Sequence, residues 1–352
     1  MVERGRGVKS RSRAGAPTAG ERFCYSPDAM SPARLLALVV LAVVLGAAAP
    51  AVTSGQPRAV TLGTALAGGT YFVYGDVVAT LLTRKLGLPV STQPTQGPNH
   101  NVVLVSDRGV DLGMTTMGIA LHAWKGTADG WTRGKTYRDL RALFPMYDTP
   151  FHLVVLDRSG LRSVKDLDAK RVGVGPRAGT PGTYYPRIFT ALGLRATFRY
   201  GQGSDMGNQL ADGLIDCFAF AAGLPVPIFE ELDAARDVRY LTFSADEIAR
   251  LRTAMPELSE SVIPRGTYRS LHEEQRTVGL YNYVIAHKDM ADDLAYAITR
   301  TVLESTAELV AGHAAAREAV LANWDKNTFL PFHPGAARYY AEKGVTIPDA
   351  LR

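Results

Sequence analysis

The sequence predicts a two-lobed α/β protein with a ligand-binding cleft between its lobes. After residue 58, short apolar strands alternate with helical segments in two separate series, a pattern that favours parallel sheets with helices on their faces. Two longer apolar stretches, 151–157 and 277–287, are placed so that they can link the two series as a pair of crossover strands. Glycine-rich turns follow a strand in each series, and ligands of open α/β sheets bind beyond the carboxyl ends of the strands.

The first series has the order strand, helix, strand, helix, strand. Its first helix carries an apolar stripe at helical spacing from Tyr71 to Leu82, and its second helix ends before Gly109. The predicted elements are a strand at 59–65, a helix at 71–86, a strand at 88–95, a helix at 99–108 and a strand at 110–116.

The second series repeats this order after the first crossover strand. Its predicted elements are a strand at 170–176, a helix at 183–192 closed by Gly193, a strand at 196–201, a helix at 206–212 and a strand at 216–222. A long amphipathic helix over 291–311 follows the second crossover strand. These boundaries predict one lobe of residues 58–150 together with 283–352, and a second lobe of residues 151–282.

The charge distribution argues against a nucleic-acid partner. The chain of 352 residues has a formal net charge of +5, but the seven Lys or Arg and three Asp or Glu of residues 1–51 contribute +4 of it. A nucleic-acid-binding domain keeps its basic residues in a patch on its folded surface. We therefore expect a partner other than DNA or RNA.

The segment from Met30 onward has the layout of a secretory signal peptide. Arg34 precedes the apolar run Leu35–Leu45, and small residues follow it. We expect export to the periplasm, with the mature chain beginning between about Ala48 and Arg58.

Two alternatives remain open at the N-terminus. The apolar run could be a retained membrane anchor, although it is shorter than the roughly 20 residues of a membrane span. Translation could start at Met1 or at Met30, because residues 1–29 are polar and rich in arginine.

No residue pattern indicates catalysis, a metal site or a disulfide. Cys24 precedes the apolar run, so Cys217 is the one cysteine expected in the mature chain. The seven histidines are scattered without metal-ligand spacing, and no nucleophile elbow is present. His152 and His287 fall in the crossover strands and are interpreted as structural. We therefore expect a protein that is not an enzyme and that uses no cofactor or metal.

The first glycine-rich turn contains Gly68, Gly69 and Thr70 between a strand and a helix. Unpaired N–H groups and the dipole at a helix N-terminus favour an anion. The glycines let a carboxylate approach the backbone, and the Thr70 hydroxyl can cap the helix or donate to a ligand. A plain capped turn is the alternative interpretation.

The second glycine-rich turn, "VGVGPRAGTPGTYYP", repeats this arrangement and adds Arg177, followed by Thr180, Thr183 and Tyr184. It is neither a Walker loop nor a dinucleotide fingerprint. The planar guanidinium of Arg177 suits a carboxylate. We expect a carboxylate held by the N–H groups of 68–70 and by Arg177 across the cleft, so that loss of Arg177 weakens binding by about one to two decades. A solvated surface arginine is the alternative.

Two further strand ends supply candidate ligand-binding residues. Thr115 and Thr116 end the third strand, and Gly223 lies in a Gly-Pro turn after a later strand. Asp111 and Asp216 each precede a strand and are interpreted as structural turn residues.

Six stretches spread over most of residues 58–345 follow a known pattern. They are 63–75, 95–101, "RVGVGPRAGT", "DGLIDCFAFAAGLPVP", "IPRGTY" and "FHPGAARYYAEKG". Together they resemble the TAXI solute-binding receptors of tripartite ATP-independent periplasmic (TRAP) transporters. The last two stretches, in their order after the Gly-Pro turn, are the most specific.

The resemblance implies a type II periplasmic-binding-protein fold, in which two α/β lobes joined by two crossover strands close over a ligand. It implies small carboxylates such as glutamate and 2-oxoglutarate as ligands, and TRAP membrane subunits as partners. Carried over by position, it implies that Gly68–Tyr71 and Asn101 bind the ligand. The second turn has two possible registers, Ala178–Thr180 and Pro181–Thr183, and both lack the serine usual in the family. Pro98 likewise stands where the family commonly has serine.

The resulting hypothesis is a monomeric extracytoplasmic receptor for a small organic anion. Its lobes are expected to close on the ligand by hinge motion near His152 and Tyr283. Two alternatives stay open: a sensor that signals through a membrane partner, and an enzyme built on a binding-protein scaffold.

Overall fold

The computed structural model describes residues 59–127 and 130–352, so the predicted leader lies outside the described residues. The strands are β1 (Val60–Gly63), β2 (Val90–Gln93), β3 (Leu112–Thr116), β4 (Leu140–Leu156), β5 (Lys170–Val174), β6 (Ala196–Tyr200), β7 (Cys217–Ala221), β8 (Val238–Leu241), β9 (Ser259–Ile263) and β10 (Gln275–His287). The α-helices are α1 (Thr70–Leu86), α2 (Pro98–Ser106), α3 (Met117–Lys125), α4 (Thr180–Leu192), α5 (Gly203–Ala211), α6 (Pro227–Ala235), α7 (Ala245–Ala254), α8 (Asp292–Leu303), α9 (Thr306–Gly312) and α10 (Pro334–Glu342). Short 3-10 helices occur at 157–159, 164–167, 314–318, 321–326 and 349–351.

The strands confirm the predicted α/β class with two parallel groups. The order along the sheet is β2-β1-β3-β10-β4-β7-β5-β6, with β8 paired to β4 and β9 to β10. Neighbours within β1–β3 and within β5–β7 are parallel, whereas β4 and β10 are antiparallel to every strand that they pair with. We refer to residues 59–150 with 283–352 as lobe 1, and to residues 151–282 as lobe 2. The long strands β4 and β10 run through both lobes.

Strand β4 begins earlier than the sequence predicts. The apolar stretch 151–157 is only its second half, which pairs with β7 and β8, and its first half pairs with β10. Pro145, Asp148 and Pro150 interrupt the apolar pattern of that first half. The ladder to β10 is irregular around Pro145, as expected where a proline cannot donate its backbone hydrogen bond.

The prediction of one continuous helix over 291–311 is wrong. The segment forms two helices, α8 and α9, with Glu304 and Ser305 between them. The Thr306 hydroxyl donates to the carbonyl of Ala319 at 2.9 Å, which ties the start of α9 to the segment that follows it.

Several elements have no counterpart in the sequence prediction. These are α3, α6, α7, α10, β8 and β9. Each of them is at most 10 residues long, so each presents too few periodic apolar residues to stand out in the sequence. Among the described helices, none combines the length and apolar character that crossing a membrane requires.

The two turn aspartates have the structural role that the sequence predicts. Asp111 accepts from the Thr61 N–H at 2.9 Å, and Asp216 accepts from the Arg171 N–H at 2.8 Å. Each carboxylate thereby joins the start of a strand to its neighbour in the sheet.

Candidate functional site

A small cavity lies between the lobes, where the first turns of five helices converge. Its volume is about 60 Å³. The helices are α1, α2 and α3 of lobe 1 and α4 and α5 of lobe 2, and each contributes one or more residues within its first turn or its N-cap. The lining residues are Ala65, Leu66, Ala67, Gly69, Thr70, Tyr71, Gln96, Gly97, Pro98, Thr116, Thr149, Pro176, Gly179, Thr180, Pro181, Gly203, Phe220, Ala221 and Ala222.

The charge of this cavity comes from backbone dipoles. None of the described residues that line it has a charged side chain. At all five helices the N-cap residue makes no side-chain capping bond, and only α5 has an acidic residue, Asp205, in its first turn. Within the described part of the chain, the N–H groups of Thr70, Tyr71 and Thr180 have no hydrogen-bond acceptor. The cavity therefore carries positive potential and free donors without a basic side chain.

The lobes touch each other around this cavity. The Thr70 hydroxyl donates to the Gly223 carbonyl at 2.5 Å, and the hydroxyls of Thr116 and Thr180 lie 3.1 Å apart. The Asn99 N–H donates to the Ala178 carbonyl at 3.1 Å. Each contact joins lobe 1 to lobe 2, so the structure is a closed form in which a ligand would be enclosed.

A buried polar network forms one corner of the cavity. The Tyr71 hydroxyl donates to Asn282 Oδ1 at 2.6 Å, and Asn282 Nδ2 donates to Thr149 Oγ1 and to the Tyr147 carbonyl, both at 2.6 Å. Burial raises the pKa of Tyr71 well above its usual value, so its hydroxyl is neutral. Tyr71 and Thr149 line the cavity, whereas Asn282 lies behind them at the crossing of β4 and β10.

Glycines allow the Phe220 ring to form the opposite wall. A Cβ atom on Gly69 would lie 3.6 Å from Phe220 Cζ, and one on Gly203 would lie 3.7 Å from the same atom. These are ordinary contact distances, so a methyl group fits at either position and a longer side chain would meet the ring. Gly69 has an extended backbone with φ of −108°, so a larger residue there causes no backbone strain. Its side chain would point toward the Phe220 ring.

Five of the sequence-predicted residues lie in the cavity lining. Gly69, Thr70 and Tyr71 come from the first turn, and Thr180 comes from the second. Thr116 lines it as well, at the end of β3. In the second turn, Gly179 and Thr180 of the first register and Pro181 of the second register line the cavity at the start of α4.

The structure does not bring Arg177 into the cavity. Its guanidinium carbon lies 3.7 Å from the centroid of the Tyr200 ring, in a separate groove outside the cavity. Thr183 borders the same groove, and its hydroxyl lies 3.1 Å from the side-chain amide of Asn99. Tyr184 is buried beside Gly118 and donates to Glu257 Oε1 at 3.2 Å. These three residues face outward or pack between the lobes.

The remaining predicted residues support the site from behind. Asn101 donates to the carbonyls of Thr64 and Met114, both at 2.8 Å, and thereby fixes the ends of β1 and β3. Thr115 is buried in β3 and does not line the cavity. Gly68 adopts φ of +95° where a side chain would meet the Ser204 N–H, and Gly223 lies against the Tyr147 ring. Gly223 also supplies the carbonyl that accepts from Thr70.

Sequence reasoning missed Thr149, Asn282 and Phe220. Thr149 lies in the first half of β4, which the sequence does not identify as a strand. Asn282 is an isolated polar residue within an apolar strand, and this is the signal that could have found it, because a buried amide needs partners.

The titratable groups near the cavity are structural. Burial lowers the pKa of His152 to about 3, and its ring nitrogens lie 3.0 Å from the Pro150 carbonyl and from the Tyr268 hydroxyl. Burial raises the pKa of the Cys217 thiol, which is unpaired. No group of three potential metal ligands exists among the described residues.

The chain has the α/β fold of type II periplasmic binding proteins. The chain belongs to the NMT1-like family, whose model matches residues 62–344. A similar solved structure is the periplasmic binding protein BugD, with a TM-score of 0.54 and 12% identity over 82% of this chain and 94% of BugD. Another is Rpa4515 of R. palustris with adipate, with a TM-score of 0.50 and 19% identity over 70% of this chain and 83% of that one.

Proposed function

We propose that the protein is an extracytoplasmic receptor that captures a short organic anion in the interlobe cavity and delivers it to a membrane permease. The observation that carries this proposal is the convergence of five helix N-termini on an enclosed cavity whose described lining has no charged side chain. No reaction is part of the proposal, because the described residues that line the cavity do not pair a nucleophile with a base.

Several weak electrostatic contributions act together on a bound anion. The N-terminus of a helix carries about half a positive charge, and an anion there gains about 0.3–1 kcal/mol at an exposed site and up to about 2 kcal/mol when partly buried. The free N–H groups of Thr70, Tyr71 and Thr180 add charge-assisted hydrogen bonds. The described lining has no acidic side chain, and Asp205 in the first turn of α5 is the one acidic residue in the first turns of the five helices, so a carboxylate is the expected head group.

The cavity also limits what accompanies the carboxylate. An α-ammonium group would be buried without an acidic side chain as counter-charge, which is unfavourable. The volume of about 60 Å³ is less than half of the roughly 150 Å³ that accepts benzene in a dry protein cavity. Of the ligands that the family resemblance implies, 2-oxoglutarate therefore suits the lining better than glutamate does. Acids shorter than either fit the closed form better still.

The proposal also specifies how the captured solute reaches the membrane. The resemblance to TAXI receptors supports TRAP membrane subunits as the partner, and the signal-peptide layout after Met30 supports the periplasm as the location. We propose that the receptor works as a monomer. Solute held between the lobes would be released when the permease opens them.

Native mass spectrometry of the purified protein tests this proposal. We expect wild-type protein to carry, or to take up from a mixture of short carboxylates, one small acid that leaves on gentle activation. The Gly69→Leu variant should carry none, because its side chain occupies the cavity, whereas Gly69→Ala should behave like wild type.

Three results would overturn the proposal. One is a bound solute that is neutral or cationic, and another is an acid that remains bound to folded Gly69→Leu. The third is wild-type protein that carries no solute and takes up no acid at millimolar concentration.

A further inference from the structure

Asn282 occupies an irregular point of the β10 strand, directly behind the cavity. Its side chain is completely buried. On one side it is in register with Thr116 of β3, which lines the cavity. On the other side, Tyr281 pairs with Asp148 and Tyr283 pairs with Pro145, so two residues of β4 face Asn282 alone. This is a β-bulge in β4.

The orientation of the Asn282 amide follows from its neighbours. The Tyr147 carbonyl can only accept a hydrogen bond, so the side-chain atom 2.6 Å from it is the nitrogen. The second hydrogen of Nδ2 is then donated to Thr149 Oγ1. The amide oxygen can only accept, so the Tyr71 hydroxyl must donate its proton to Oδ1.

These hydrogen-bond directions determine which role the hydroxyls of Tyr71 and Thr149 can have toward a ligand. The Tyr71 proton is used by Asn282, so the Tyr71 oxygen can only accept from a ligand. Thr149 Oγ1 already accepts from Asn282, and its own proton has no acceptor within the described residues. The Thr149 hydroxyl can therefore donate a hydrogen bond to a ligand. The acceptor, Tyr71, and the donor, Thr149, are both hydrogen-bonded to the side-chain amide of Asn282.

We propose that Asn282 is a positioning residue that selects ligands with a hydrogen-bond acceptor facing Thr149 and an uncharged donor facing Tyr71. This inference rests on the proposed function, in which a carboxylate oxygen supplies the acceptor. The lining has no acidic side chain, so the donor is a hydroxyl group and not an ammonium group. The ligand class is thus a short hydroxycarboxylate, in preference to the oxo acid of the same length.

Calorimetric titration with lactate, pyruvate and alanine tests this selection, because the three acids differ only in the group beside the carboxylate. We expect lactate to bind wild-type protein about tenfold more tightly than pyruvate, the difference of one satisfied hydrogen bond, and alanine to bind more weakly than lactate. In Tyr71→Phe the preference for lactate over pyruvate should disappear while pyruvate binding changes little.

Variants of the other two residues separate positioning from general support. In Asn282→Leu both hydroxyls are free to reorient, so the lactate-to-pyruvate ratio should fall to about one. A purely structural role would weaken both acids equally and keep the ratio. Thr149→Val should weaken all three acids, and Thr149→Ser, which keeps the hydroxyl, should restore their binding.

The outcomes distinguish this inference from the proposed function. Equal binding of lactate and pyruvate by wild type, or a preference that persists in Tyr71→Phe, overturns the role of Asn282 and leaves a carboxylate receptor. If folded wild type binds none of these acids nor any longer carboxylate, the receptor proposal and this inference both fail. If Asn282→Leu does not fold, Tyr71→Phe still decides.

Discussion

His122 Nε2 lies 3.0 Å from Glu257 Oε1, and this contact joins lobe 1 to lobe 2 beside the cavity. Arg187 and Tyr184 of lobe 2 donate to the same carboxylate oxygen, each at 3.2 Å. Burial opposes the ionisation of Glu257, but the hydrogen bonds from His122 and the backbone and the charge of Arg187 outweigh it and lower the pKa of Glu257 to about 2. A charged group thus holds the lobes together without lining the cavity.

We predict that His122→Ala weakens ligand binding although the residue does not line the cavity. Removing a hydrogen bond to a charged group favours the open form, and we expect about a tenfold loss of affinity. Calorimetry measures the affinity, and small-angle scattering should show a larger radius of gyration for the variant than for wild type at the same subsaturating ligand concentration. The matched control is Lys125→Ala, an exposed position of the same helix. Unchanged affinity in His122→Ala would show that closure does not depend on this contact.

We predict a graded response at Gly69. Its added Cβ meets Phe220 at an ordinary contact distance, so Gly69→Ala should bind nearly as wild type does. Gly69→Val should weaken binding and Gly69→Leu should abolish it, since each larger side chain takes more of a cavity of about 60 Å³. Thermal unfolding of the three variants serves as the control for folding. Retained binding by folded Gly69→Leu would place the ligand elsewhere.

We predict that Arg177→Ala binds the ligand within about twofold of wild type. The sequence alone leads to the opposite expectation, a loss of one to two decades, because a glycine-rich turn with an arginine suits a carboxylate. In the structure Arg177 stacks on Tyr200 outside the cavity, so removing it leaves the cavity lining intact. Titration at physiological salt keeps long-range attraction small. A tenfold loss there would mean that Arg177 reaches the ligand.

Arg177 separates the features of the site that the sequence predicts from those that it does not. The two glycine-rich turns were predictable, because each joins a strand to a helix and leaves N–H groups unpaired, as at Gly69 and Thr180. The sequence does not predict which side of the second turn faces the cavity, because Arg177 and Gly179 are only two residues apart. Thr149 and Asn282 meet over 133 residues of sequence separation, through a register that only the folded β4–β10 pair specifies.

We predict that His152 makes stability depend on pH. Its pKa is about 3 in the folded protein because of burial, and about 6.5 in the unfolded chain. A depressed folded pKa means that the unfolded chain binds more protons in this window, so stability is full above about pH 6.5 and falls toward pH 3. The contribution of His152 to this pH dependence is roughly 1 kcal/mol per pH unit between about pH 5 and pH 6.

Urea unfolding of wild type and His152→Leu at these two pH values measures that share. Other buried histidines contribute to the total slope, so the difference between the slopes is the informative quantity. The slope of the His152→Leu variant should be smaller by roughly 1 kcal/mol per pH unit, whatever its absolute stability. Equal slopes would mean that His152 is protonated in the folded state.

The most direct test of the central claim is a calorimetric comparison of an acid with its own amide. Propionate and propionamide have nearly the same size and shape and differ in charge, so the comparison isolates the potential created by the five helix N-termini. If that potential recognises the ligand, propionate binds at least about tenfold more tightly than propionamide, the effect of one or two charge-assisted hydrogen bonds. Equal affinities, or tighter binding of the amide, would contradict a receptor built to hold an anion.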